Sequence, residues 1–248
     1  MVDTPTPSKS QPKSHLEAIT TRWALVGDPT QFVMRYAPAI KKYLSALIPN
    51  RDDADEVCQD FLLHMLAHRF AHANPDRGKF RRYLKAAVRN AALMYFRRRQ
   101  AETNSRERFV RLPHAEEGRG TEESQWTQAW RGCILERTWN ALHTQQRKIP
   151  DSVLYTVLRV SVDHPTEDSV ALAERASTLA RRPIRPDSFR KNLSRARRQF
   201  AELMVIEVAQ TLENRAPEHV EAELIEVGLM EFVRDYLPAD WKDWSCFG

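Results

Sequence analysis

Glycine and cysteine are both scarce in this chain, with seven and three among 248 residues. So little glycine, with many Ala, Leu, Arg and Glu and few β-branched runs, points to an all-α protein. Cys58, Cys133 and Cys246 lie far apart and show no CxxC spacing. They form no disulfide framework and suit a reducing compartment. Long apolar runs are missing too, and the N-terminus lacks a secretory apolar region, so the expected location is cytoplasmic. No GxxxxGK[ST] loop, nucleophile elbow or HExxH pair occurs, and the chain is expected to be no enzyme and to need no cofactor.

One further absence organises the reading. Residues 77–99, RGKFRRYLKAAVRNAALMYFRRR, hold nine Lys or Arg and no Asp or Glu. Phe80, Leu84, Val88, Ala91 and Tyr95 recur at steps of three and four, the period of a helix with one apolar stripe. Arg81, Lys85 and Arg89 step along another face, and Arg97, Arg98 and Arg99 close the run. A helix that buries one stripe and presents cations elsewhere suits a polyphosphate backbone. Its aromatic residues suit unstacked bases, since every base has a face to stack on. Although the formal net charge is only +5, a second basic block fills residues 181–198 and acidic blocks lie elsewhere. Such segregation favours a nucleic-acid binder that also meets a protein partner.

Residues 1–15 offer nothing apolar to bury and are expected to be a disordered leader. In QFVMRYAPAIKKYLSALI, Phe32, Val33, Tyr36, Ile40, Tyr43, Leu44 and Leu47 have helical spacing, with Pro38 marking a start or a kink. Asn50 or Asp52 can cap the next helix, RDDADEVCQDFLLHMLAHRF, whose first turn is acidic as the helix dipole prefers. Ala54, Val57, Phe61, Leu62 and Met65 form its inward stripe, while Asp53, Glu56 and Asp60 share another face suited to a basic partner. His64, His68 and His72 step by four, a metal-like spacing. No carboxylate or cysteine completes that set, so no metal site is expected.

DDADEVCQDFLLHML resembles the acidic, Gln-containing helix of bacterial RNA polymerase sigma factors of the extracytoplasmic-function (ECF) class. The following ANPDRGKFRRYLKAAVRNAALMYFRRR resembles the next segment of that family. TTRWALV and the PDRGKFRRYL turn are most similar to the ECF-like factors of planctomycetes. The likeness covers about residues 20–100. It implies that Asp53, Glu56, Gln59 and Asp60 dock on the clamp helices of the polymerase largest subunit. It also implies that residues 16–100 form a region-two-like domain that opens the downstream promoter element and holds the non-template single strand. Arg77, Lys79, Phe80, Arg82, Tyr83, Lys85, Arg89, Asn90, Tyr95, Phe96 and Arg97 then contact DNA. Unpairing and unstacking cost a few kcal/mol per flipped base, and stacking on a ring returns about 1–3 kcal/mol. A small domain can therefore hold exposed bases but needs the polymerase to open a duplex.

Residues 101–125 have linker composition. A linker of that size reaches roughly 80 Å stretched but only about 27 Å as a relaxed coil, so two separated promoter elements require it held extended. The second domain, residues 126–212, starts with Trp126, Trp130, Ile134 and Trp139 at core spacing. KIPDSVLYTVLRVSV continues it, with Val153, Leu154, Val157, Leu158 and Val160 inward. SVALAERASTLARRP follows, with Val170, Leu172, Ala173, Ala176 and Leu179 inward. Next comes a helix opened by Pro186 and Asp187, with Phe189, Leu193, Ala196, Phe200 and Leu203 buried. This is a helix-turn-helix pattern, whose second helix enters the major groove. RPDSFRKNLSRARRQFAEL is similar to the recognition helix of the sigma C-terminal, region-four-like domain. That likeness implies upstream-element contacts from Ser188, Arg190, Lys191, Ser194, Arg195 and Arg198, although the turn lacks the family's glycine.

Residues 213–248 turn acidic, with nine Asp or Glu against three Lys or Arg. Val220, Leu224, Val227, Phe232, Val233 and Tyr236 predict one amphipathic helix ended by Pro238. Such a tail can pack on the second domain, or cover a basic recognition surface and inhibit the chain itself. An anti-sigma factor is the corresponding outside partner. The other functions compatible with the sequence are a polymerase-independent helix-turn-helix regulator, a metal-dependent nucleic-acid enzyme using the histidines, and an RNA binder.

Overall fold

The computed structural model describes residues 29–68, 80–103, 119–212 and 215–244. Among them the chain forms nine α-helices and no strand, so the fold is all-α as the composition requires. The proposed leader, Trp23, His72, residues 104–118 of the linker and Cys246 fall outside the described residues.

Helix α1 (Pro29–Leu47) carries Pro38 on an exposed turn, where the ring faces away from the core. Its stripe of Tyr36, Ile40, Tyr43 and Leu44 is buried. Asn50 ends the connection and caps α2 (Arg51–His68), its Oδ1 accepting from the Asp52 amide at 2.9 Å. That hydrogen bond and the acids of the first turn satisfy the helix start. Helix α3 (Phe80–Thr103) lies against both, with Leu84 and Val88 fully buried.

Helix α4 (Arg119–Lys148) is a single 30-residue rod. Its tryptophans are core: Trp126 and Trp130 are 1% and 3% exposed, and Trp130 stacks on Tyr36 at 5.6 Å. α4 passes close to α1 at Gly132, where a Cβ would stand 3.2 Å from the Lys42 Nζ. Helices α5 (Leu154–Asp163), α6 (Ser169–Ala180) and α7 (Pro186–Ala209) form a second bundle around Val157, Ala176 and Phe189.

The two long helices connect the bundles. Trp126 to Ile134 of α4 and Ala201 to Val208 of α7 belong to the core of α1, α2 and α3. Leu142 and Ala196, further along the same two rods, pack with Leu158 at the other end. Arg35 of α1 fastens this junction: it donates from Nη1 to the Gln210 carbonyl at 2.8 Å, at the end of α7. Arg137 of α4 donates to Glu207 of α7 at 2.8 Å.

Four expectations need correction. The linker expected over residues 101–125 is helical wherever it is described, because α3 runs on to Thr103 and α4 already starts at Arg119. The tail is two pieces, α8 (Pro217–Glu226) and α9 (Met230–Val233), because Gly228 takes φ of +68° between them. The Leu229 amide then donates back to the Leu224 carbonyl at 2.8 Å, a glycine-dependent helix stop. Val170 and Leu179, expected inside, are 51% and 67% exposed. Arg81, read as part of a solvent-facing cationic stripe, is buried.

Candidate nucleic-acid interface

Helices α2 and α3 enclose a groove of about 990 Å³. Asp53, Glu56 and Asp60 line one wall, and Tyr83, Asn90, Tyr95, Arg98 and Arg99 the other. Phe61, Met65 and Ala91 lie between them. Three of the four residues assigned to protein docking, all but Gln59, and several assigned to DNA therefore share one groove. Sequence spacing alone places them on separate helices.

One hydrogen-bonded knot joins the walls. The Tyr95 hydroxyl donates to Asp53 Oδ2 at 2.5 Å. The Arg99 guanidinium pairs with the same carboxylate and donates to the Tyr95 oxygen, and its carbon lies 5.9 Å from the Tyr95 ring centroid. The Tyr95 hydrogen bond first, and Arg99 second, hold the Asp53 carboxyl below its ordinary range. Asp53 thus remains an anion at neutral pH with its acceptor face turned to α3. Burial pushes the Tyr83 phenol up, so it stays neutral at the groove's edge.

The other residues of this set are distributed as follows. Arg82, Asn90 and Arg97 are exposed, while Lys85 and Arg89 are half-buried. Phe96 is partly buried and meets Tyr95 edge-on at 5.2 Å, leaving it more packing partner than open platform. Phe80 is the first residue of α3. Arg77 and Lys79 lie outside the described residues. On α2, Glu56, Gln59 and Asp60 are exposed and Asp53 is half-covered. His64 lines the groove, and no cluster able to hold a metal occurs among the described residues.

The second basic surface is built by α6 and α7. Asp168 caps α6 by accepting from the Val170 and Ala171 amides at 3.0 and 2.9 Å. Arg181 closes α6 in the left-handed region at φ 52°, taking the conformation that glycine usually supplies. Ser177 Oγ accepts from the Ile184 amide at 2.8 Å and ties the turn back to α6. Pro186 opens α7 and Phe189 anchors it. Ser188, Arg190, Lys191, Ser194, Arg195 and Arg198 are all exposed. Arg190 pairs with Asp187 and donates to Ser169 Oγ at 2.9 Å, and Arg198 pairs with Glu202 at 3.0 Å.

Sequence reasoning missed Arg99 as a member of the groove. Its signal was present: Tyr95 and Arg99 are one helical turn apart in a run otherwise assigned to DNA.

Residues 32–102 match the family model described as Sigma-70 region 2. The match spans α1, α2 and α3, the three helices that build the groove. Over that span the likeness is to a domain that, in sigma-70 factors, binds core RNA polymerase and melts promoter DNA. No curated protein and no solved structure matches the chain. No helix among the described residues is long and apolar enough to cross a membrane.

Proposed function

We propose that the chain is an ECF-like sigma factor of the cytoplasm that brings core RNA polymerase to promoters. In this reading Glu56, Gln59, Asp60 and the outer edge of Asp53 meet the polymerase clamp helices. Tyr83, Asn90, Tyr95 and the cations of α3 hold the melted non-template strand. Ser188, Arg190, Lys191, Ser194, Arg195 and Arg198 of α7 read the upstream element from the major groove, as the second helix of a helix-turn-helix. The observation that carries the reading is the α2–α3 groove, where an acidic wall and an aromatic, cationic wall face each other within the matched region.

Purified chain mixed with core polymerase and fragmented genomic DNA should give discrete transcription start sites. The double change Glu56→Ala, Asp60→Ala should abolish capture of the polymerase while leaving the fold intact, since both side chains are exposed. Failure of the wild-type chain to associate with polymerase defeats the proposal.

The exposed cations of α7 equally suit a helix-turn-helix regulator that acts without polymerase. Duplex binding that survives the α2 changes, without any polymerase association by the wild-type chain, selects that alternative.

A further inference from the structure

Three polar or charged residues are buried among those described: Arg81, Thr138 and Glu223. Thr138 is accounted for locally, donating to the Ile134 carbonyl at 2.8 Å. The other two are partners. Arg81 Nε lies 2.9 Å from the Glu223 carboxylate, with the side chains 5% and 1% exposed. Arg81 Nη2 also meets Glu226, whose carboxylate reaches on to Arg82 at 3.6 Å. The acids sit one turn apart on tail helix α8, and the cations sit side by side at the start of α3.

The two limbs of this cluster differ physically. The Arg81–Glu223 pair is sealed from water, so desolvation offsets much of its attraction, and losing one partner strands a charge. Such a pair specifies where α8 lies more than it adds net stability. Val220 and Leu224, both fully buried, hold the same helix in the core beside α7. The Glu226–Arg82 limb is open: Arg82 is 73% and Glu226 35% exposed. Its attraction is weak and salt-sensitive, so a stronger anion can displace it.

We infer that α8 is a built-in competitor for the nucleic-acid backbone. Glu223 anchors it on Arg81, and Glu226 occupies Arg82 where a strand phosphate binds. The inference rests on the reading of α3 as the helix that meets DNA, and it names the residues through which the tail restrains that helix. A strand laid along the start of α3 takes Arg82 from Glu226 and loosens the C-terminal turn of α8. The tail thereby lowers affinity for stray nucleic acid without covering the α2 docking face.

The test compares two tail carboxylates of equal exposure on one helix. Glu226→Gln removes the competing charge from Arg82 and from Arg81 Nη2, leaving Glu223 as the counterion of the buried guanidinium and a side-chain amide oxygen to accept from it. Glu221→Gln removes the same charge from a carboxylate that pairs with Lys242 at 2.6 Å and has no basic partner on α3. Binding of a fluorescent single-stranded oligonucleotide is measured by anisotropy in the full chain, over a salt series. Glu226→Gln should tighten binding about two- to fivefold at low salt, the range for one exposed ion pair. The gain should shrink as salt rises, while Glu221→Gln stays close to wild type. In the wild-type chain the oligonucleotide should also speed amide exchange at the end of α8. Equal effects of the two changes, or exchange unaltered by bound oligonucleotide, overturn the competitor. Binding by neither wild type nor Glu226→Gln removes the reading of α3 itself, and the competitor with it.

Discussion

Helices α3 and α7 are both 24 residues long and both basic, yet they manage their charge differently. α3 carries seven Lys or Arg and a single acid, while α7 carries five and three acids. α7 supplies its own counterions: Asp187 for Arg190 and Glu202 for Arg198, each within one turn. α3 takes acids from elsewhere. Asp53 comes to Arg99 from 46 residues away, and Glu226 to Arg81 from 145. A helix with local counterions can keep its surface whatever the rest of the chain does. A helix neutralised by distant segments changes its surface whenever those segments move. On the proposed reading, α7 presents its cations passively, while α3 offers a surface that docking and the tail can both alter.

The sharpest way to break the comparison is at the junction that joins the two helices. Trp126→Ala removes a fully buried α4 indole that meets Tyr43 of α1 edge-on at 5.1 Å within the core that α7 shares, and should cost about 3–5 kcal/mol. Because α4 and α7 contribute to the cores at both ends, urea unfolding should remain one transition at a lower midpoint. Loss of the α1–α3 half alone, with α7 still folded, would separate the two regions.

Alkaline pH attacks the same junction. Burial pushes the Tyr36 phenol up to about 12. The folded state therefore favours the neutral ring, and its contribution is fully present below the ordinary tyrosine value near 10. As pH rises from there toward 12, on the order of 3 kcal/mol is lost. Stability measured by urea at pH 9 and 11 should show this fall, and Tyr36→Phe should flatten it. An equal fall in both proteins would place the alkaline sensitivity elsewhere.

On the surfaces themselves the effects should be smaller and differ in kind. Tyr95→Ala should weaken single-strand binding by about 1–3 kcal/mol, with the salt slope little changed, because a stacked ring is lost. Tyr95→Phe keeps the ring and should retain most of the affinity. Arg195→Ala on α7 should weaken duplex binding and reduce the salt slope by about one. A salt-slope change at Tyr95 and none at Arg195 would reverse the division of labour between the helices.

Much of this architecture was legible in residue spacing. The stripes of α1, α2, α3 and α7 follow the helical period, and Pro186 and Asn50 announce their helix starts. What escaped was nonlocal. Nothing within α3 distinguishes buried Arg81 from exposed Arg82, since the acid that buries the first lies on α8. Tyr95 looked like an open stacking ring, but Asp53 of α2 engages its hydroxyl. The break at Gly228 was masked because apolar residues recur on both sides of it at helical intervals. Exposure of Val170 and Leu179 has a similar cause: periodicity marks a face, and only packing decides how much of it is covered.

The turn before α7 yields the smallest prediction and tests the passive half of the comparison. Arg181 holds φ at 52°, where a side chain crowds its own carbonyl at a cost of about 1–2 kcal/mol. Glycine relieves that crowding but enlarges the unfolded ensemble by about 0.4–1 kcal/mol. Arg181→Gly should therefore stabilise the chain by roughly 0.5–1 kcal/mol, seen as a melting rise of about 1–4 °C. The neighbouring Arg182–Asp151 pair, at 3.0 Å, is left in place to hold the turn. Duplex affinity should fall slightly with the lost cation, and single-strand binding at Tyr95 should not move. If α7 presents its surface independently of the rest, stabilising its turn leaves α3 unaffected; a shift in single-strand binding on this change would show that the two helices communicate through α4.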